Sequence, residues 1–326
     1  TTACGGGGGG DSGGVPAGTV TLSGTAAGGA PLIGTITVKD STNFERAKTI
    51  DLAAAGQYSI DVTGLKPPFL LRAEGTIGGT SVTYFSGATS DDLGKTINIT
   101  PFTDLIIGNI AGQLAKDFYK SPNFAMLTTG KLNEERDRLK GRLTDVLKGL
   151  GVDDSVDLLR SSFKADHTGL DQVLDIVRVT PPGQGQGTIA KIKNLANEQE
   201  IEDDLASHET TPLPAINTTK ETASNLQQIT DVGKALENLL ATSIPRADNA
   251  QLLALFDTQK FLEDGGKFDE FASSSIQPEV LGAKFTFSLV SLTPSNAPTT
   301  AKIKLTVSPK NGIPFTEEWQ LNKDTI

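Results

Sequence analysis

The sequence predicts a multidomain α+β protein: an N-terminal all-β sandwich, a helical middle, and a C-terminal unit of helices plus an antiparallel sheet. Three observations carry this. Apolar residues alternate with period two over residues 17–100, between turns rich in Gly, Pro, Asn and Asp. Their spacing changes to three and four over residues 101–180. Helical spacing then gives way to long alternating runs within residues 221–326. At roughly 100–200 residues per domain, 326 residues allow two or three domains.

Residues 1–16 carry no periodic pattern. Thr1-Thr2-Ala3-Cys4 is followed by six glycines, then by Asp11-Ser12-Gly13-Gly14. Polyglycine has no side chain to bury and maximal backbone freedom, so this stretch is expected to be a flexible tether. The small residue before a Cys in Ala3-Cys4 resembles the end of a bacterial lipoprotein signal peptide. Thr2 fits the tolerated small position, whereas Thr1 stands where that pattern usually has Leu. The resemblance implies that the chain is cut before Cys4 and that the Cys4 sulfur carries a diacylglycerol. It further implies a bacterial, exported protein held at the outer membrane or cell surface by a lipid anchor. Each buried acyl CH₂ contributes about 0.8 kcal/mol, so several chains hold firmly. The alternatives for a single Cys are a free thiol or an intermolecular disulfide. Two other readings of this stretch are excluded. Gly10-Asp11-Ser12-Gly13-Gly14 matches the string around the nucleophile of chymotrypsin-like proteases, but no His precedes Ser12. The glycine tract also lacks the Gly-Lys-Ser/Thr end of a phosphate-binding loop.

Residues 17–100 alternate at Val20 and Leu22, Ile36 and Val38, Tyr58, Ile60 and Val62, Phe69 and Leu71, Val82 and Tyr84, and Ile97 and Ile99. Gly28-Gly29, Asp40-Ser41, Gly78-Gly79 and Asp91-Asp92 punctuate the runs. Short strands so spaced predict a sandwich. The stretch Gly56-Gln57-Tyr58-Ser59-Ile60-Asp61-Val62 resembles the carboxypeptidase-regulatory-like, transthyretin-like sandwiches, in the immunoglobulin-like class of architectures. In those domains an aromatic follows a turn Gly and enters the core. The resemblance implies a structural or adhesive module and carries over no catalytic residue.

Thr100-Pro101 predicts a helix start, with Thr as cap and Pro in the first turn. Phe102, Ile106, Ile110, Leu114 and Phe118 then recur every four residues, the stripe of a helix buried on one face. A second helix is expected near 131–149 from Leu132, Leu139, Leu143, Val146 and Leu147. Two weaker helical segments hold Val156, Leu158, Leu159 and Phe163, then Leu170, Val173, Leu174 and Val177. Residues 181–220 read as a linker with short strands. Gly183, Gly185 and Gly187 lack the βαβ setting of a dinucleotide site, residues 188–195 suggest a strand or hairpin, and residues 210–219 are rich in Thr and Pro.

Residues 221–326 begin with a helical run through Leu226, Ile229, Val232, Leu236, Leu239 and Leu240 that stops near Pro245. A short helix with Leu252, Leu253, Leu255 and Phe256 follows. Phe285, Phe287 and Leu289 make one strand, Ile303, Leu305 and Val307 a second, and Phe315, Trp319 and Leu321 a third after the Asn311-Gly312 turn. Helices followed by such a meander resemble the cone-shaped nuclear-transport-factor-2-like superfamily, whose folds can enclose a pocket and usually have a further strand where this sequence ends. The sheet is therefore expected to lack a strand or to receive one from another chain. Catalytic members of that superfamily place an Asp–His or Asp–Arg pair inside the cone, but here both His lie outside the segment.

Composition narrows the function. An excess of 10 negative charges argues against nucleic-acid binding, which needs clustered Lys and Arg. No apolar run reaches the roughly 18 residues needed to cross a bilayer. Two His and one Cys are few ligands for zinc or haem, so no metal site and no cofactor is expected. Asp91-Asp92, Asp153-Asp154 and Asp203-Asp204 are paired carboxylates outside any twelve-residue calcium loop and suit at most adventitious Ca²⁺. His167 and His208 sit in polar contexts and are expected to be exposed, and Asp257, Glu263 and Asp264 read as caps and turns. The expectation is a non-catalytic exported surface lipoprotein, a structural or binding module of the envelope, anchored to the membrane at Cys4. The alternative is a subunit of an extracellular filament or sheath that self-associates through sheet edges. A third reading is an enzyme or small-ligand binder that uses the C-terminal cone.

Overall fold

The computed structural model describes residues 19–42, 46–183, 185–216, 218–256, 266–274, 276–292 and 300–322. Among these, α and β elements are mixed, and the strands form four sheets whose ladders are antiparallel. β1 (Thr21–Thr25) pairs with β4 (Gln57–Asp61). β2 (Ile33–Lys39), β3 (Ala47–Asp51), β5 (Phe69–Ile77) and β6 (Thr80–Ala88) form a second sheet in the order β3-β2-β5-β6. Leu22, Ile36, Val38, Tyr58, Ile60, Phe69 and Leu71 are all buried; burial alternates strictly in β4, whereas in β2 and β5 the intervening Thr37 and Leu70 are buried as well. Tyr58 enters the core after Gly56, and its hydroxyl donates to the Ile97 carbonyl. Ile97 and Ile99 are fully buried, but their segment meets Ser23 of β1 and Ala26 just beyond it through isolated parallel bridges and forms no longer strand. β3 has little apolar signal because it lies at the sheet edge, where its residues alternate between exposed and half-buried.

The 102–118 stripe is split into two helices, α1 (Pro101–Ala111) and α2 (Ala115–Lys120). Thr100 accepts from the Thr103 amide as its cap, and Pro101 opens the first turn. Gly112 ends α1 at φ 65°, the left-handed conformation that leaves a helix without a Cβ clash. Phe102, Ile106 and Ile110 are buried as the spacing requires. α3 (Thr129–Leu150) contains the second expected helix and buries Leu132, Leu139, Leu143, Val146 and Leu147. The 156–163 segment is not helical. The Asp157 carboxylate there accepts from the Leu159 and Arg160 amides, a local bond that competes with helical pairing. α4 (Leu170–Ile176) then runs directly into β7 (Val177–Thr180).

β8 (Ile189–Asn194) is the middle strand between β7 and β9 (Glu200–Asp204). The Thr- and Pro-rich stretch after it lies against α3: Leu213 is fully buried, and Arg142 Nε donates to the Thr211 carbonyl at 2.9 Å. α5 (Lys220–Leu239), α6 (Ala250–Leu253) and α7 (Phe268–Ser274) precede the last sheet. That sheet is β10 (Lys284–Leu292), β11 (Thr300–Ser308) and β12 (Phe315–Asn322), in chain order. Phe256, Phe268, Phe271 and Trp319 pack as an aromatic cluster with ring centroids 5.5–6.3 Å apart. Hydrogen bonds cross between these parts of the chain. Thr103 Oγ1 donates to the Phe85 carbonyl, Asn98 Nδ2 to that of Ser161, and Arg178 Nη2 to that of Leu289.

Candidate functional site

Besides Asp40 and Asp92, the buried charged residues described gather in two clusters. The first lies on β9. Adjacent strand residues face opposite ways, so Asp203 is fully buried while Asp204 stays near the surface. Arg138 and Arg142, one helical turn apart on α3, both reach the Asp203 carboxylate: Arg138 at 3.0 Å, and Arg142 closer still. Asn109 of α1 donates to its other oxygen at 2.7 Å. Arg138 also pairs with Glu135 at 2.7 Å, and Glu135 accepts from His208 at 2.6 Å. The remaining guanidinium hydrogens go to the Glu202, Glu209 and Thr211 carbonyls. These bonds clamp α1, α3 and β9 together, with Asn109 Oδ1 left buried and without a partner.

The second place is His167, Asp171 and Asp175. Asp171 and Asp175 lie four residues apart on α4, and so on one face, while His167 precedes the helix in a left-handed turn at φ 63°. His167 Nδ1 lies 2.8 Å from Asp175 Oδ2, and the His167 amide donates to Asp171 Oδ2 at 2.7 Å. One ligand atom from each residue lies within 4.8 Å of the other two. Asp171 is 0% exposed, and its Oδ1 has no hydrogen-bond partner. Gly29 abuts the cluster at φ 80°, where a Cβ would stand 3.2 Å from Asp175 Oδ1 and from the Leu174 carbonyl.

Burial raises the pKa of both carboxyls, and for Asp171 the charge of Asp175 adds to it. Burial opposes charge on His167 as well, but the hydrogen bond and charge of Asp175 and the charge of Asp171 outweigh it and hold the imidazole pKa above its ordinary value. Lys234 of α5 acts on the same imidazole in the lowering direction. Three titratable groups with perturbed pKa in one buried cluster can share protons or hold one cation.

On the other side of the Gly28-Gly29 turn, a Cβ at Gly28 would stand 3.0 Å from the Tyr84 hydroxyl. Burial there, with the Asp104 charge, pushes Tyr84 up to about 12. Burial also pushes Asp104 up to about 7, although its Oδ1 accepts from the Phe85 amide at 3.1 Å.

The expected site residues fare differently. Cys4, Ser12, Asp257, Glu263 and Asp264 lie outside the described residues. His208 is about half exposed, as expected, yet bound to Glu135. His167 corrects the expectation of exposure: its side chain is only 12% exposed because the 163–169 turn folds it back onto α4. The three Asp-Asp pairs do not converge. Asp92 caps its turn with Thr89 and pairs with Arg160 at 2.6 Å, Asp91 accepts from Thr129, and Asp153 accepts from the Ser155 amide. The cluster missed in the sequence had a partial signal there: helical geometry gathers Asp171 and Asp175 on one side, while His167, four residues earlier, joins them through its turn. Searched against known proteins, the chain matches no protein-family model, no curated protein and no solved structure.

Proposed function

We propose that the protein is a non-catalytic, exported bacterial surface lipoprotein, a structural or binding module held to the membrane through Cys4. The observation that carries this reading is Ala3-Cys4 followed at once by six glycines. A tether after a lipid lets the folded part stand clear of the bilayer. In this reading β1–β6 form a transthyretin-like sandwich next to the tether, and α5 to β12 a unit of the nuclear-transport-factor-2-like kind. The use of buried charge supports it: the Asp203 network is spent on joining elements to one another. Among the described residues no helix is long and apolar enough to cross a membrane. Metabolic labelling with a fatty-acid analogue tests the anchor. Wild type takes up label and Cys4→Ala loses it, and unlabelled wild type would sink the reading.

A second reading, a filament or sheath subunit, has its own observation. β12 pairs only with β11 among the described residues, and beside that edge Ile313 and Phe315 are 89% and 42% exposed. An open edge is a template for another chain's strand. The Cys4→Ala chain, viewed by electron microscopy at rising concentration, then forms polymers that Ile313→Lys with Phe315→Lys disperses. Monomers alone at the highest concentration would count against it.

A further inference from the structure

We propose that His167, Asp171 and Asp175 form a binding site for one divalent transition-metal ion of the Zn²⁺ or Mn²⁺ class. The inference does not depend on the lipid anchor. It rests first on convergence. One ligand atom from each side chain already lies within 4.8 Å of the others. An ion with bonds of about 2.0–2.2 Å holds its ligands roughly 3–3.5 Å apart, so closing on it takes movements of about 1 Å.

The second support is the stranded oxygen. Asp171 Oδ1 is buried with no hydrogen-bond partner, although almost all buried polar atoms in folded proteins have one. Its partner oxygen is held by the His167 amide, which fixes the carboxylate against the other two groups. A cation satisfies the stranded oxygen directly. It also balances two buried carboxylates that a single imidazole neutralises only in part.

The donor set chooses the ion. One imidazole nitrogen with two carboxylate oxygens suits Zn²⁺, Mn²⁺ and their neighbours, whereas Ca²⁺ and Mg²⁺ prefer all-oxygen shells. Gly29 packs its backbone against the site: a Cβ there would stand 3.2 Å from Asp175 Oδ1 and from the Leu174 carbonyl, so a side chain at this position would press on the ligand carboxylate. A bound ion ties the turn before α4 to the helix itself, next to the Gly28-Gly29 turn.

The test uses the full chain carrying Cys4→Ala, to remove the thiol, after treatment with a chelator. Calorimetry and thermal unfolding are followed as Zn²⁺, Mn²⁺, Ca²⁺ or Mg²⁺ is added. The expected result is one saturable site for Zn²⁺ or Mn²⁺ with a rise in Tm, and at least tenfold weaker binding of Ca²⁺ and Mg²⁺. Asp171→Asn weakens the transition-metal site at least tenfold, and His167→Gln does the same. Asn can still accept from the His167 amide, so Asp171→Asn keeps the local fold and decides the matter if His167→Gln fails to fold. His208→Gln binds as the parent does. No saturable binding to the parent, or equal binding by the parent and Asp171→Asn, overturns the proposal. So does equal preference for Ca²⁺ or Mg²⁺.

Discussion

Asp203→Ala is expected to destabilise the protein by about 3–5 kcal/mol, the cost of removing one partner from a buried ion pair. Asp203 is fully buried and accepts from Arg138, Arg142 and Asn109. Without it, Arg142, itself 1% exposed, keeps its charge in a place that water does not reach. The penalty comes from that stranded charge more than from the lost attraction. Two companions sharpen the measurement. Asp204→Ala, next along β9, removes bonds from the Thr188 hydroxyl and the Ala206 amide near the surface and costs far less. Arg142→Met combined with Asp203→Leu removes the two most buried charges of the network and restores part of the loss, Arg138 keeping Glu135 as its partner. Urea unfolding of the four proteins reads this out. Equal costs for Asp203→Ala and Asp204→Ala would show that the network holds nothing together.

The second large effect is on pH dependence. Asp104 has its pKa raised by burial from 3.8 to about 7. Between those values the folded protein holds a proton that the unfolded chain has released, so stability falls as pH rises from about 4 to 7 and is flat beyond. At about 1.4 kcal/mol per pH unit the loss is on the order of 4 kcal/mol, and the solvent contact Asp104 retains reduces it to about 2–4. Asp104→Asn cannot ionise, and its amide oxygen can still accept from the Phe85 amide. The variant is therefore expected to match wild type near pH 4 and to exceed it in stability at pH 8 by about 2–4 kcal/mol. Asp171 and Asp175 contribute the same sign in both proteins, so the difference between the two curves isolates Asp104. Parallel curves from pH 4 to 8 would refute the assignment.

Much of the fold was legible because its signals are local. Tyr58, Ile60 and Val62 alternate and are buried as they alternate, and Thr100-Pro101 caps a helix where it stands in the sequence. The failures share a cause. The every-four stripe from Phe102 to Phe118 says nothing about the left-handed residue at Gly112 that divides it. The leucines of residues 156–163 suggested a helix, but the Asp157 side chain bonds the backbone first. β3 stayed hidden because an edge strand has no need of an apolar face.

The candidate cluster was half legible. The spacing of His167, Asp171 and Asp175 stands in the sequence, but their burial does not. Asp166 and Thr168 make the surroundings look polar, and only the turn at His167 brings the imidazole onto α4.

The sequence by itself determined the strand and helix patterns, the acidic balance, and the Cys4 and glycine segment on which the proposed anchor rests. The tertiary structure alone decided which of the many carboxylates matter. Asp203 and Asp204 are identical neighbours in the chain, yet one neutralises the buried Arg142 and the half-buried Arg138 and the other faces the surface. A carboxylate's energy is set by the dielectric and the partners around it, and those come from residues distant in sequence that only the folded chain brings within reach.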